Sequence, residues 1–199
     1  MHVRRSTLFA VMLAAPTLAL AHVGADGSAH AHVGFADGLL HPLTGLDHLA
    51  AMLAVGVWSA LTARQARDMV WAPLAFAAML LAGALAGFAG LSLPAVEPMI
   101  AASLLVLGLL LVTRLHLPGP AAAALVGVFA VFHGMAHGVE LAGETGGAAA
   151  LAGMVLATAL LHAAGLAVGW ALRTRFSWGP RLAGAAVALF GAGMLAQVL

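Results

Sequence analysis

Six long apolar runs constrain this chain more than any other feature of its sequence. Each has roughly 20 residues or more, enough to cross a hydrocarbon core of about 30 Å as a helix rising about 1.5 Å per residue. With 63% hydrophobic and 8% charged residues, the sequence predicts an all-α, polytopic protein embedded in a lipid bilayer, with six transmembrane helices in the mature chain. The runs cover approximately 42–62, 70–91, 96–115, 121–141, 148–172 and 180–199.

The first 21 residues have the pattern of a cleavable signal peptide. Arg4 and Arg5 give a basic start, an apolar core follows over 8–20, and the segment ends on a small-x-small triplet at 19–21. The apolar core is shorter than the ~20 residues that a span needs. We therefore expect cleavage before His22, with an uncleaved extra helix as the alternative.

Residues 22–40 are predicted to form a periplasmic tail, too polar to enter lipid, ahead of a six-helix permease domain over 41–199. The tail contains His22, His30 and His32. If His22 becomes the N-terminal residue, its amine and imidazole could chelate a metal together with one of the other two. A flexible tail that merely contains histidines is the alternative.

The arginines predict the orientation of the helices. Cytoplasmic connections collect basic residues, and every arginine after residue 22 falls in the first, third or fifth connection between spans. The even-numbered connections contain Glu97 and Glu144 instead. This predicts a protein of the bacterial inner membrane with both mature termini in the periplasm. Three spans followed by three would also give two halves of opposite orientation, as in a 3+3 inverted repeat.

A first cluster of ionisable side chains lies at the start of the first span. His41, Asp47 and His48 lie where ionisable residues are expensive and usually functional. On one continuous helix, His41, His48 and Met52 would fall within about 40° of each other, with Asp47 about 100° to the side of His48. Asp47 could then be a metal ligand or the acceptor that fixes an imidazole's tautomer.

The fourth span contains a second cluster, formed by His133, His137 and Glu140. The spacing i, i+4, i+7 puts all three on one helix face, and a histidine pair at i, i+4 is a common grip for a divalent metal. Gly134 and Gly138 lack side chains, so the backbone of another helix can approach this helix closely.

Comparison of depths predicts a pathway with two tiers. Because the two helices run in opposite directions, His41 and Glu140 should lie near the outer end, with His48 and His133 about 10 Å deeper. Ligands at two matched heights suit a cation that passes between sites.

Other polar residues receive plainer interpretations. His162, alone in the fifth span, is interpreted first as a hydrogen-bonding strut, with a secondary metal ligand as the alternative. Met52 lies on the histidine stripe and is a possible secondary ligand, although methionines in such helices more often serve packing. Glu97, Glu144 and His116 are expected at wet loop ends. The chain has no cysteine, which excludes thiolate metal sites.

Two segments, HPLTGLDHLAAMLAVG and FHGMAHGVE, resemble the HupE/UreJ family of nickel permeases. The spacing from His41 to Asp47 is one residue longer than in the related nickel/cobalt transporter family, which favours HupE/UreJ. The resemblance implies uptake of Ni²⁺ or Co²⁺ for nickel-enzyme maturation. It also implies functional positions at His41, Asp47, His48, His133, His137 and Glu140. Imidazole and carboxylate suit several transition metals alike, so nickel rests on the resemblance.

We therefore expect a secondary permease and not an enzyme, with the metal ion as cargo and no permanently bound cofactor. The chain has no phosphate-binding loop and no basic stripe for nucleic acid. One rival is an intramembrane zinc-dependent hydrolase, with a site built from His48, His133, His137 and Asp47. Another is a histidine-rich metal sensor or assembly scaffold. The oligomeric state stays open.

Overall fold

A computed structural model describes residues 33–174 and 178–198. The regular structure of these residues is helical throughout, as the sequence predicts. A short 3₁₀ turn, Ala66–Val70, precedes α3. The predicted signal peptide and the tail histidines, His22, His30 and His32, lie outside the described residues. The helices are α1 Phe35–Thr44, α2 Leu46–Thr62, α3 Trp71–Phe88, α4 Val96–Thr113, α5 Gly119–Leu141, α6 Gly147–Leu172 and α7 Trp178–Val198.

Five of these helices, α3 to α7, are long and apolar enough to cross a membrane. The pair α1 and α2 passes the same test only when taken together, and it is bent by 78°. The chain is thus a polytopic all-α membrane protein, with six spans if the bent pair counts as one. The hydrocarbon around it explains why the outward faces of the helices are rich in exposed leucine, valine and tryptophan.

The first span differs from the expected straight helix beginning at Pro42. Helix begins earlier, at Phe35, and Pro42 lies inside α1, so the predicted boundary at residue 41 falls within a helix. Gly45 has extended backbone angles, φ −79° and ψ 111°, and separates α1 from α2. Pro120, by contrast, lies in the first turn of α5, where a helix needs no amide hydrogen.

Close packing against α6 explains why α1 forms from a polar stretch. A Cβ at Gly38 would collide with the backbone of Ala150, and one at Gly153 would collide with the backbone of Phe35. The two helices therefore touch backbone to backbone, an approach that only glycine permits. These contacts stabilise a helix that the composition of the segment alone does not favour.

The long helices associate in three main pairs: α3 with α5, α2 with α6, and α4 with α7. Glycines lie at each interface. Gly134 and Gly138 of α5 face the backbone of α3 around Leu80 and Ala84, which confirms the predicted close approach at these two positions. On the other side of the bundle, Gly165 of α6 faces the backbone of α2.

The pairing pattern is the one that a 3+3 repeat requires. In such a repeat, α2, α3 and α4 correspond to α5, α6 and α7. The α3/α5 pair then corresponds to the α6/α2 pair, and the α4/α7 pair corresponds to itself. The glycine pairs at 83 and 87 in α3 and at 165 and 169 in α6 correspond in the same way, since each pair faces the first helix of the other half. Helix packing thus supports the predicted repeat.

The two ends of the bundle differ in chemistry. At the arginine end, where α2, α4 and α6 finish, Arg173 donates to the carbonyl of Ala63, and His116 Nδ1 donates to the carbonyl of Thr62 over 2.9 Å. His116 is therefore half-buried and bonded rather than wet. At the opposite histidine end, Glu144 is exposed as expected, and so is Glu97 at the start of α4.

Candidate metal centre

Three imidazoles from three helices meet at the histidine end of the bundle. His41 comes from the last turn of α1, His48 from the first turn of α2, and His137 from the last part of α5. Each offers a ring nitrogen, and these atoms all lie within 4.8 Å of one another. His48 and His137 are buried and His41 is half-buried. Such a set is suited to a divalent transition metal.

The predicted separation of His41 and His48 into two tiers is wrong. Their ring centroids are 5.7 Å apart, and the ring of His41 is 4.8 Å from that of His137. The bend at Gly45 is the reason. A straight helix would have put about 10 Å between the two residues along its axis, whereas the bent pair folds His41 back over the start of α2.

Carboxylates stand behind two of the three imidazoles. Asp47 Oδ1 is 2.9 Å from His48 Nδ1, and Glu140 Oε2 is 3.5 Å from His137 Nδ1. Metal-bound histidines commonly donate their second ring N–H to such an acceptor, which fixes the tautomer. Asp47 therefore has the geometry of the acceptor named in the sequence analysis. A direct bond from Asp47 to a metal stays a prediction.

His48 Nε2 and His137 Nε2 are 2.7 Å apart, a hydrogen-bond distance. When both rings are neutral and His48 Nδ1 donates to Asp47, His48 Nε2 is the acceptor and His137 Nε2 the donor. Nitrogen ligands at metal bonds of about 2.0–2.1 Å lie about 3.0–3.4 Å apart. A metal could thus take the place of this hydrogen bond after the rings part by a few tenths of an ångström, provided that the His137 proton moves from Nε2 to Nδ1, which faces Glu140.

His133 lies next to this cluster but is not one of its three members. Its ring contacts that of His48, with centroids 5.1 Å apart, and it is fully buried. His133 Nε2 lies 2.9 Å from the Ser103 hydroxyl, and that hydroxyl donates to the carbonyl of Ile100. His133 Nε2 must therefore carry a proton, which leaves Nδ1 as a lone pair without a partner among the described residues.

Ser103 was missed in the sequence analysis, although a signal was present. It is the one polar side chain in the apolar stretch of α4 between Glu97 and Thr113, and it is fully buried. A hydroxyl in that setting usually bonds across to another helix. The second element missed is Phe76, whose ring contacts His133 at 5.6 Å; nothing in its sequence surroundings distinguishes it.

The strut interpretation of His162 is wrong. Its side chain is 3% exposed, and neither ring nitrogen has a hydrogen-bond partner among the described residues. Its ring instead contacts Phe76, with centroids 5.1 Å apart.

Met52 is fully buried in the apolar core with Val55 and Leu104. This burial agrees with the packing role that methionines usually have in such helices.

The fold and this site together define a class: a polytopic membrane protein with a carboxylate-backed histidine cluster able to hold a transition-metal ion. Residues 10–194 match the profile described as HupE / UreJ protein. The chain belongs to the HupE/UreJ family, as the two motifs indicated. This is a family of transport-related accessory proteins and not a known family of enzymes.

A curated relative extends the similarity over most of the chain. It is Protein HupE of Rhizobium leguminosarum bv. viciae, 41% identical over 189 residues, which cover 90% of this chain and 96% of the relative. No solved structure matches the chain.

Proposed function

We propose that this protein is an inner-membrane permease that takes up Ni²⁺, or Co²⁺, for the maturation of nickel enzymes. The observation that supports this most directly is the convergence of His41, His48 and His137, with their ligand atoms within 4.8 Å. Family membership adds the nickel-related accessory role. The cation is cargo in this proposal, and no resident cofactor is needed.

The proposed route begins at the histidine end. His41 is half-buried and Glu140 is exposed, so a hydrated cation can reach them before it meets the buried His48 and His137. The carboxylates of Asp47 and Glu140 attract the ion and hold the imidazoles in a metal-binding tautomer. His133, in contact with His48, receives the ion next. Binding must be weak enough at each position for the ion to leave.

The proposed direction follows from the arginines. Arg64, Arg114 and Arg173 follow α2, α4 and α6 at the end of the bundle opposite the cluster, and basic connections favour the cytoplasm. The histidine end then faces the periplasm, and movement from the cluster toward the arginine end is uptake.

The donor atoms of the site limit the possible cargo to a few transition-metal ions but do not identify one of them. Imidazoles with carboxylates suit Ni²⁺, Co²⁺, Zn²⁺ and Cu²⁺, and the chain has no thiolate to favour a softer ion. Nickel is proposed because of the family. The intramembrane hydrolase is not favoured, since the family is not known for enzymes and His133, named as one of its four site residues, is not among the three clustered imidazoles.

The test is metal uptake by vesicles that contain only this protein, loaded with a metal-sensing dye. We expect Ni²⁺ uptake by the wild type and a loss of about 100-fold or more for His137→Ala, since altering even the groups behind a ligand costs about 10–100-fold. His116→Ala is the matched control, because that imidazole bonds to Thr62 at the arginine end. Wild-type vesicles that accumulate none of Ni²⁺, Co²⁺ or Zn²⁺ above empty vesicles would refute the proposal.

A further inference from the structure

His162 is a buried histidine for which packing gives no explanation. The residue is 3% exposed, and both of its ring nitrogens lack a hydrogen-bond partner among the described residues. Most buried polar side-chain atoms are bonded, and an exception calls for a specific cause such as an ion or a catalytic role. A leucine would fill a similar volume without the cost of desolvating two nitrogens.

His162 shares a neighbour with His133. The ring of Phe76 contacts His133, with centroids 5.6 Å apart, and also contacts His162 at 5.1 Å. His133 Nδ1 is itself a buried lone pair without a partner. Two imidazoles with unused nitrogens therefore lie against one aromatic ring.

His162 also lies deeper in the bundle than the three-histidine cluster. Its carbonyl packs against Gly56 of α2, and Gly56 comes eight residues after His48 in the same helix. At ~1.5 Å per residue, that position is about 12 Å farther toward the arginine end. His133 comes four residues before His137 in α5, about 6 Å nearer the arginine end at ~1.5 Å per residue, and so lies between the two levels.

We propose that His162 is an inner binding position for the transported cation, which reaches it from His133 past the ring of Phe76. This inference rests on the proposed permease function and extends its route toward the arginine end. A lone imidazole without a carboxylate behind it binds a partly hydrated ion weakly, as the last position before release should. In the neutral imidazole, one of the two unpartnered His162 nitrogens offers its lone pair to the ion and the other keeps its proton.

The test compares His162→Leu with His116→Leu in the same vesicles. Because His162 makes no side-chain hydrogen bond within the described part of the chain, leucine should leave the unfolding temperature in detergent unchanged or raise it. We expect the maximal Ni²⁺ uptake rate of His162→Leu to fall at least about tenfold. Equilibrium Ni²⁺ binding by the outer cluster should stay within about threefold of wild type, because the His162 ring contacts Phe76 and lies a level deeper than the cluster. His116→Leu should transport within about twofold of wild type, because the proposed route does not pass through it.

A second pair of variants tests the same proposal if His162→Leu fails to insert into the membrane. His162→Cys and His162→Ser have nearly the same size, but only the thiol is a strong transition-metal ligand. We expect uptake by His162→Cys to exceed that of His162→Ser at least fivefold. Equal rates for this pair, or a His162→Leu rate within twofold of wild type, would overturn the inner position alone. Absence of uptake by the wild type would overturn the permease and this position together.

Discussion

The cluster of His41, His48 and His137 differs from the inner imidazoles His133 and His162 in what stands behind the rings. Asp47 and Glu140 approach two rings of the outer cluster, whereas the inner region has one hydroxyl, that of Ser103. Carboxylates raise the basicity of an imidazole ligand and fix its tautomer, and a hydroxyl fixes the tautomer only. In the proposed permease, the outer cluster would therefore capture the ion and the inner imidazoles would pass it on.

The largest expected effect comes from removing the charge behind the cluster. Asp47→Asn keeps the size of the side chain but removes the carboxylate that is 2.9 Å from His48 Nδ1. We expect Ni²⁺ affinity, measured by equilibrium binding to the purified protein, to fall about 10–100-fold. Glu140→Gln is the comparison. Its carboxylate is farther away, at 3.5 Å, and 39% exposed, so the loss should be several times smaller.

Equal losses for these two variants would contradict the difference in how the carboxylates are arranged. Affinity unchanged by Asp47→Asn would remove the contrast between the outer and inner regions altogether, because the outer imidazoles would then bind without their acceptor.

A second variant tests the backbone packing on which both regions depend, since α5 contains both His133 and His137. A Cβ at Gly138 would collide with the backbone of Ala84 in α3. Gly138→Ala should therefore lower the free energy of unfolding by about 1–3 kcal/mol, measured by denaturant titration in detergent, and weaken metal binding as His137 shifts.

Gly193→Ala is the matched control in α7. A Cβ at that position meets nothing within 4 Å, so alanine should be neutral or stabilising by up to about 1 kcal/mol. Equal stability of the two variants would mean that α3 and α5 do not need their close approach.

The smallest expected effect falls on the inner region. Ser103→Ala removes the bond to His133 Nε2, at a cost of about 1 kcal/mol in unfolding free energy because the ring N–H is left unsatisfied. Uptake should slow a few-fold as His133 loses its fixed tautomer. Ser59→Ala is the control, since the buried Ser59 hydroxyl has no partner among the described residues. A larger loss for Ser59→Ala would contradict the assignment of Ser103.

Hydrophobicity alone predicted the α-helical membrane fold, and the i, i+4, i+7 spacing correctly placed His137 and Glu140 close together. The error arose at Gly45. A sequence interpreted as one straight helix does not reveal a 78° bend, and the backbone contacts of α1 with α6 that accompany the bend exist only in the folded chain. The predicted two tiers for His41 and His48 failed for that reason.

The inner region was harder to predict because its members come from separate helices. His162 is eleven residues from Arg173, which follows α6, and has no ionisable neighbour in sequence. Its relation to Phe76 and His133 exists only in three dimensions. Ser103 was the exception, since one hydroxyl in an apolar helix is a signal of a cross-helix bond.

The glycine interfaces divide much of the bundle into two helix pairs, α3 with α5 and α2 with α6, each joined by backbone contacts. His48 lies in one pair and His137 in the other. A cation bound by both rings would therefore link the two pairs, and its release would remove that link.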